Sequence, residues 1–368
     1  MADQVKAPES ATGATPPRFA VATATPASRL AAVAGLALVA VLVALPIAVG
    51  RGSLQHLFSL LTMLALAQYW NLLAGYAGLV SVGQQAYVGL GGYALFAFVS
   101  MAGIDPLLAI ALAGAAAGLI AVPTAFIVFR LQGAHFAIGT WVVAEIFRLV
   151  LAQVKSLGGG TGTSLPAEAV RGLAGTRWIE ALFDVRAATA RDILTYWLAL
   201  LLAVLSLAAS YWLLRTRRGL ALAAMRDNAR AAESVGVDTR RARLVVYLVT
   251  AIGTGLTGAL IYLHTARISP DAAFSVLDWT AYVIFIVVIG GIGTLEGPIT
   301  GVIVFFVLQD NFAAFGTWYL MCLGALAIAV MLVAPRGIWG TLAHRYDLHL
   351  LPTRRRLVRQ DTDAAPPT

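Results

Sequence analysis

The chain has 368 residues, of which 60% are hydrophobic and only 12% charged, against about 25% charged in soluble domains. Its 26 basic and 18 acidic side chains cannot give a protein of this size a polar skin, which excludes a soluble enzyme and a disordered chain. The net charge of +8 invites a nucleic-acid reading, but the basic residues lie mostly between apolar runs, where they orient a membrane protein. The expected medium is a lipid bilayer, with no nucleic-acid partner.

Residues 1–29 are rich in Ala, Thr and Pro and lack an apolar period; they read as a disordered cytoplasmic tail. The run at 30–49 is too long and too far from the start for a secretory signal and reads as a retained helix. Further apolar runs follow at 57–74, 80–102, 106–129, 134–153, 193–214, 243–264, 279–294, 297–312 and 317–334. Most approach the roughly 20 residues that cross the hydrocarbon core; the eighth and ninth are short and joined by a Gly-rich turn. Backbone groups in lipid must be satisfied internally, and no alternating barrel pattern is present. The fold class is therefore all-α: a polytopic transmembrane helical bundle of about ten spans over 30–335, with Gly-interrupted helices. A basic cytoplasmic tail follows at 336–368. Cys322 is the only cysteine, so no intrachain disulfide can form.

Arginine sets the orientation. The segment 215–243 carries Arg215, Arg217, Arg218, Arg226, Arg230, Arg240, Arg241 and Arg243, and the tail carries Arg336, Arg345, Arg354, Arg355, Arg356 and Arg359. Four spans separate these regions and return the chain to the same side, which places both termini in the cytoplasm. The outer loop 154–192 is also basic, but long loops follow the rule less closely; Glu168, Glu180, Asp184 and Asp192 partly balance it.

Two hydrophobic stretches are broken by glycine. The first runs Gly75-Tyr76-Ala77-Gly78-Leu79-Val80-Ser81-Val82-Gly83-Gln84-Gln85-Ala86-Tyr87, and the second Gly290-Gly291-Ile292-Gly293-Thr294-Leu295-Glu296-Gly297-Pro298. Glycine weakens a helix and Pro298 cannot donate to one. Interrupted spans in comparable positions of two halves mark a transport pathway, here with Gln84, Gln85 and Tyr87 as lining candidates. Two tight cytoplasmic helix hairpins would show the same pattern.

Glu145 and Arg148 lie three apart in the fifth span, on one helix face. Each costs about 2.5–3.5 kcal/mol unpaired at the bilayer centre. Paired, they are either a substrate contact or proton relay, or a structural ion pair near the outer interface. The loop Arg226-Asp227-Asn228-Ala229-Arg230-Ala231-Ala232-Glu233-Ser234-Val235-Gly236-Val237-Asp238 predicts a short cytoplasmic helix, capped by Asp227 or Asn228 and ended by Gly236. Its small apolar face (Ala231, Ala232, Val235) suits a partner's groove, or an amphipathic connector at the headgroups.

Gly253-Thr254-Gly255-Leu256-Thr257-Gly258 matches a dinucleotide fingerprint but lies inside an apolar run, where small residues let helices approach. With Lys6 and Lys155 the only lysines, no Gly-Lys-Ser/Thr phosphate cradle can be built. Any ATP and Mg must sit on a partner chain. No metal-ligand spacing or catalytic arrangement is present, so neither a metal site nor catalytic residues are expected.

Asn71-Leu72-Leu73-Ala74-Gly75-Tyr76-Ala77-Gly78, Gly159-Gly160-Thr161-Gly162, Ala231-Ala232-Glu233-Ser234-Val235-Gly236-Val237, Ile268-Ser269-Pro270 and the second Gly-rich stretch together resemble the LivM-type permeases of bacterial ABC importers for branched-chain amino acids. The resemblance covers about residues 57–335. It departs from the family at Val82-Gly83-Gln84-Gln85, where Gly-His is frequent. The resemblance implies a LivH-like second permease, two cytoplasmic ATP-binding subunits and a periplasmic substrate-binding protein. It also implies a bacterial inner membrane, a docking role on the ATPase for residues 227–238, with contacts at Ala231, Ala232, Glu233, Val235 and Gly236, and a cargo among branched-chain or related small amino acids, amides, urea or small carboxylates. The competing reading is a self-sufficient proton-coupled secondary transporter that uses Glu145 and Arg148.

Overall fold

A computed structural model describes residues 18–22, 26–346, 350–351 and 356–360. In chain order the elements are β1 (Arg18–Ala22), α1 (Pro26–Ala44), α2 (Arg51–Asn71), α3 (Gln84–Ala102), α4 (Pro106–Val128), α5 (Ala134–Ala152), β2 (Thr163–Ser164), α6 (Ala167–Arg171) and α7 (Thr176–Phe183). They continue with α8 (Ala187–Arg215), α9 (Arg217–Ser234), α10 (Thr239–Thr265), β3 (Arg267–Ile268), α11 (Pro270–Ala273), α12 (Tyr282–Gly290), α13 (Gly297–Phe312), α14 (Thr317–Val333), α15 (Gly337–Tyr346) and β4 (Arg356–Gln360). Among the described residues, ten helical stretches are long and apolar enough to cross a membrane. The chain is a multi-pass helical membrane protein.

Helices α2, α3, α8, α10 and α12 form the buried centre: α10 packs on α3 and α4, α2 on α8 and α10, and α12 on α2 and α13. The would-be dinucleotide fingerprint lies in α10 and is a packing device. A Cβ on Gly91 of α3 would overlap the Gly255 carbonyl, one on Gly258 the Val88 carbonyl, and one on Gly253 the Tyr69 ring. At the first two points the helix backbones touch and at the third a ring fills the space, which is how helices gain dispersion energy in lipid. The outermost helices α1 and α14 leave most of their apolar side chains exposed, as lipid-facing helices do.

Several boundaries depart from the sequence reading, each where polar residues find partners. Helix α2 begins at Arg51 rather than 57, because Arg51 and Gln55 both donate to the carboxylate of Asp192, which is 1% exposed. The same contacts start α8 at Ala187 rather than 193. The loop expected over 154–192 is structured: β2 pairs antiparallel with β3, and Gly162 lies against the Ile268 carbonyl. The eighth span ends at Gly290 rather than 294, and residues 291–296 form a turn. Parts of the tails expected at 1–29 and 336–368 lie outside the described residues; within them β1 pairs antiparallel with β4, and α15 packs against α12 and α13.

Candidate translocation site

Helix α2 continues through a π turn at Leu72–Tyr76 and then breaks. Residues 77–83 are irregular before α3 starts at Gln84. In lipid such a break survives only if its backbone is satisfied, and here side chains do so. Trp70 Nε1 donates to the Ser81 carbonyl at 2.9 Å, Gln84 Nε2 to the Leu66 carbonyl at 2.9 Å, and the Val82 amide to Thr140 Oγ1 at 3.1 Å. Gly83 lies directly on the Thr140 backbone, so no larger residue fits there.

Gln85 turns the other way. Its amide donates to Thr280 Oγ1, whose hydroxyl donates in turn to Gln85 Oε1, tying the start of α3 to a second π turn at Leu277–Ala281. Tyr87 donates to the Tyr247 hydroxyl of α10 at 2.8 Å. Gln84, Tyr87 and Tyr247 border a cavity of about 20 Å³ with Tyr69, Trp70, Thr250 and Thr254. That is room for one water. Gln84, Gln85 and Tyr87 are thus all buried; Gln84 bonds across the break to α2, Gln85 to the second π turn and Tyr87 to α10.

The second break follows α12. Gly293 has a φ of +76°, a backbone conformation costly for any residue with a Cβ. Thr294 Oγ1 closes the turn, donating to the Gly291 carbonyl at 2.7 Å and accepting from the Gly297 amide at 3.1 Å. Pro298 occupies the first turn of α13, where no amide is needed.

The two breaks meet. A Cβ on Gly75 would stand 2.6 Å from the Gly293 nitrogen. Asn71 donates to the Thr294 carbonyl at 2.7 Å and accepts from the Gly293 amide at 2.8 Å; Gln68 donates to the Leu295 carbonyl at 2.8 Å. Two side chains of α2 therefore satisfy the open backbone of the 291–296 turn. Around this joint, Gly337 of α15 abuts Gly291 and Gly290, and the Arg226 guanidinium of α9 lies against Gly293. Glu296 accepts the Leu351 amide of the C-terminal tail at 2.9 Å. The sequence reading did not single out Gln68, Thr280 or the contact of Arg226; Gln68, a polar residue deep in an apolar run, carried the readable signal.

Helix α9 is longer than the short helix expected. It runs from Arg217 and kinks at Asn228, whose φ/ψ of −160°/105° is not helical. Asn228 Oδ1 accepts the Ala231 amide at 3.1 Å, so the expected cap restarts the helix after the kink. At the far end the Val237 amide reaches the Ala232 carbonyl and the Gly236 amide the Glu233 carbonyl, with Gly236 at φ +86°, a complete Schellman termination. Ala232 is buried, whereas Ala231, Glu233 and Gly236 are exposed and Val235 is 78% exposed. Glu233 accepts a hydrogen bond from Thr239 at 2.6 Å, which fixes the segment to the start of α10.

Glu145 and Arg148 are paired at the end of α5 far from α9. Arg148 Nη2 is 2.6 Å from Glu145 Oε1, and Nη1 is 2.7 Å from Asp271 Oδ1. The guanidinium clamps α5 to α11, and none of the three side chains is buried. Neither residue touches the joined breaks.

A family model described as the permease component of the branched-chain amino acid transport system matches residues 50–334. The high-affinity branched-chain amino acid transport system permease protein LivM of Salmonella typhimurium is 29% identical over 317 residues, which is 82% of this chain and 73% of that protein. Its namesake from Escherichia coli is 28% identical over 314 residues, with the same coverage. A probable branched-chain amino acid transport permease protein LivM of Methanocaldococcus jannaschii is 29% identical over 113 residues, 31% of this chain and 32% of that protein. No solved structure matches.

Proposed function

The chain belongs to the permease family of branched-chain amino acid transport systems, and from that premise we propose that it is a translocation subunit of an ATP-driven importer, moving branched-chain or related small amino acids into the cytoplasm. It performs no chemistry itself. Two partner subunits hold and hydrolyse ATP with Mg, a second, LivH-like permease completes the membrane unit, and a periplasmic binding protein delivers the cargo. The α9 face with its arginines lies in the cytoplasm of a bacterial inner membrane, and both termini lie on that side.

One observation carries this reading: α9 presents an exposed, rigidly terminated apolar tip at Val235 while its other half touches the joint between the two broken helices. A pull on the tip by a closing ATPase dimer is transmitted through Arg226 to Gly293 and, through Asn71 and Gln68, to α2. The hinge is a pair of glycine-rich turns, and helices that meet at such turns can reorient as rigid bodies.

Reconstitution tests the proposal. Proteoliposomes with both permeases, the ATPases and the binding protein should accumulate leucine only with ATP inside, and deletion of 229–236 should abolish uptake while the chain still inserts. The proton-coupled alternative expects uptake by this chain alone, driven by a proton gradient, and lost in Glu145→Gln.

A further inference from the structure

We infer that a cavity on the face opposite α9 receives the ammonium group of the incoming cargo, with Asp278 as its anchor; this rests on the importer reading above. The cavity measures about 530 Å³, within the range of about 300–1,000 Å³ typical of small-molecule sites. Three elements build it: the start of α2 (His56, Met63), the π turn and the first turn of α12 (Asp278, Trp279, Tyr282), and the end of α13 (Phe305, Phe306, Asp310).

Two chemistries line these walls. One is aromatic: Tyr282 and Phe305 lie 5.0 Å apart between centroids, Phe306 packs edge-on to Phe305 at 5.5 Å, and His56 edge-on to Phe306 at 5.1 Å. Trp279 is fixed by donating to the Ala272 carbonyl at 2.7 Å. The other chemistry is acidic. Asp310 lies 3.3 Å from His56 Nε2, but Asp278 is half-buried and has no cation within ion-pair distance among the described residues. An ionisable residue within a membrane-spanning segment is a candidate functional position, and without a counter-charge Asp278 is open to a cationic ligand. The π turn that carries Asp278 adds a residue to the helix, a distortion common at functional sites, and its neighbour Thr280 is the residue bonded to Gln85 at the first break. The site is thus bonded to the start of α3, beside the first break, through a single short segment.

Asp278 attracts an ammonium by charge, and the half-buried rings of Trp279 and Tyr282 beside it add cation–π attraction and apolar contact. A ligand without an ammonium, whether a carboxylate, urea or a neutral amide, leaves Asp278 without its counter-charge.

The test uses the assembled four-component complex. Leucine and its α-hydroxy counterpart, in which hydroxyl replaces ammonium, are compared by equilibrium dialysis on the complex without binding protein. Leucine should bind at least tenfold tighter than the hydroxy acid to wild type, and Asp278→Asn should erase the difference. In proteoliposomes the same variant should lower leucine uptake at least tenfold while ATP hydrolysis stimulated by loaded binding protein persists, and Asp278→Glu should recover part of the uptake. Equal binding of the two probes by wild type overturns the inference. So does unchanged uptake in Asp278→Asn, or loss of the second permease from both Asp278 variants on gel filtration, which would make the cavity a subunit interface. If the wild-type complex binds leucine as described but accumulates none with ATP, the importer reading fails and the ammonium site stands.

Discussion

Replacing Asn71 with Ala should detach the 291–296 turn from α2 without unfolding the bundle. Asn71 is 1% exposed and makes two hydrogen bonds to that turn, donating to the Thr294 carbonyl and accepting from the Gly293 amide. Each backbone group left unsatisfied costs about 1–3 kcal/mol, so the two together cost roughly 2–6 kcal/mol. The alternative open to the turn is to separate from α2 and take water at the membrane face. Even about 2 kcal/mol shifts that opening equilibrium roughly 30-fold. Amide hydrogen exchange on the purified complex reads this directly: the peptide spanning 291–297 should exchange at least about 30-fold faster in the variant, while peptides from α3 and α10 stay protected. Uptake should fall and ATP hydrolysis should lose its dependence on the cargo-loaded binding protein. Unchanged exchange at 291–297 would refute the idea that Asn71 holds the two breaks together.

Gly91→Ala places a Cβ into the Gly255 carbonyl of α10 and should destabilise the chain by about 1–3 kcal/mol, seen as a lower melting temperature of the purified protein. Gly236→Val puts a β-branched residue at φ +86°, at a cost of about 1–2 kcal/mol; the ATPases should co-purify poorly while membrane insertion is normal. Asp192→Ala removes the acceptor shared by Arg51 and Gln55 and, because Arg51 is itself half-exposed, should cost about 1.5–3 kcal/mol as lost hydrogen bonds to a charged group, measured as accelerated proteolysis at the far face. Glu145→Gln leaves Arg148 tied to Asp271, and uptake by the full complex should change less than twofold.

Lipid made the number of spans legible. A helix that must satisfy its own backbone in hydrocarbon announces itself as an apolar run, and the ten runs correspond to the ten helices, among the described residues, that are long and apolar enough to cross a membrane. The ends were less legible, because Arg51 and Gln55 look like loop residues until Asp192, more than a hundred residues away, accepts hydrogen bonds from both. The same holds for residues 154–192, whose order depends on β3. The glycine stretches were legible as breaks, since few other residues tolerate those turns. That they meet was not, because contact between Asn71 and Thr294 spans 223 positions and leaves no periodic trace. The Asn228 cap and the Gly236 stop could be read from residue chemistry alone. The first half of α9 was not singled out, although Leu222 and Met225, three apart and both buried, give it an apolar face at helical spacing.

The peripheral position of α1 bears on how the protein is made. The hydrogen bonds that tether this helix come from Tyr196 to the Leu42 carbonyl and from Trp197 to the Val43 carbonyl, each 154 residues further along the chain. A ribosome has therefore delivered the first five spans to the bilayer before either tether exists. During that interval α1 is held by its own apolar surface against the acyl chains. Its side chains are apolar and exposed on nearly every face, a surface that suits the acyl chains that meet it first, and the bundle later holds it by one end.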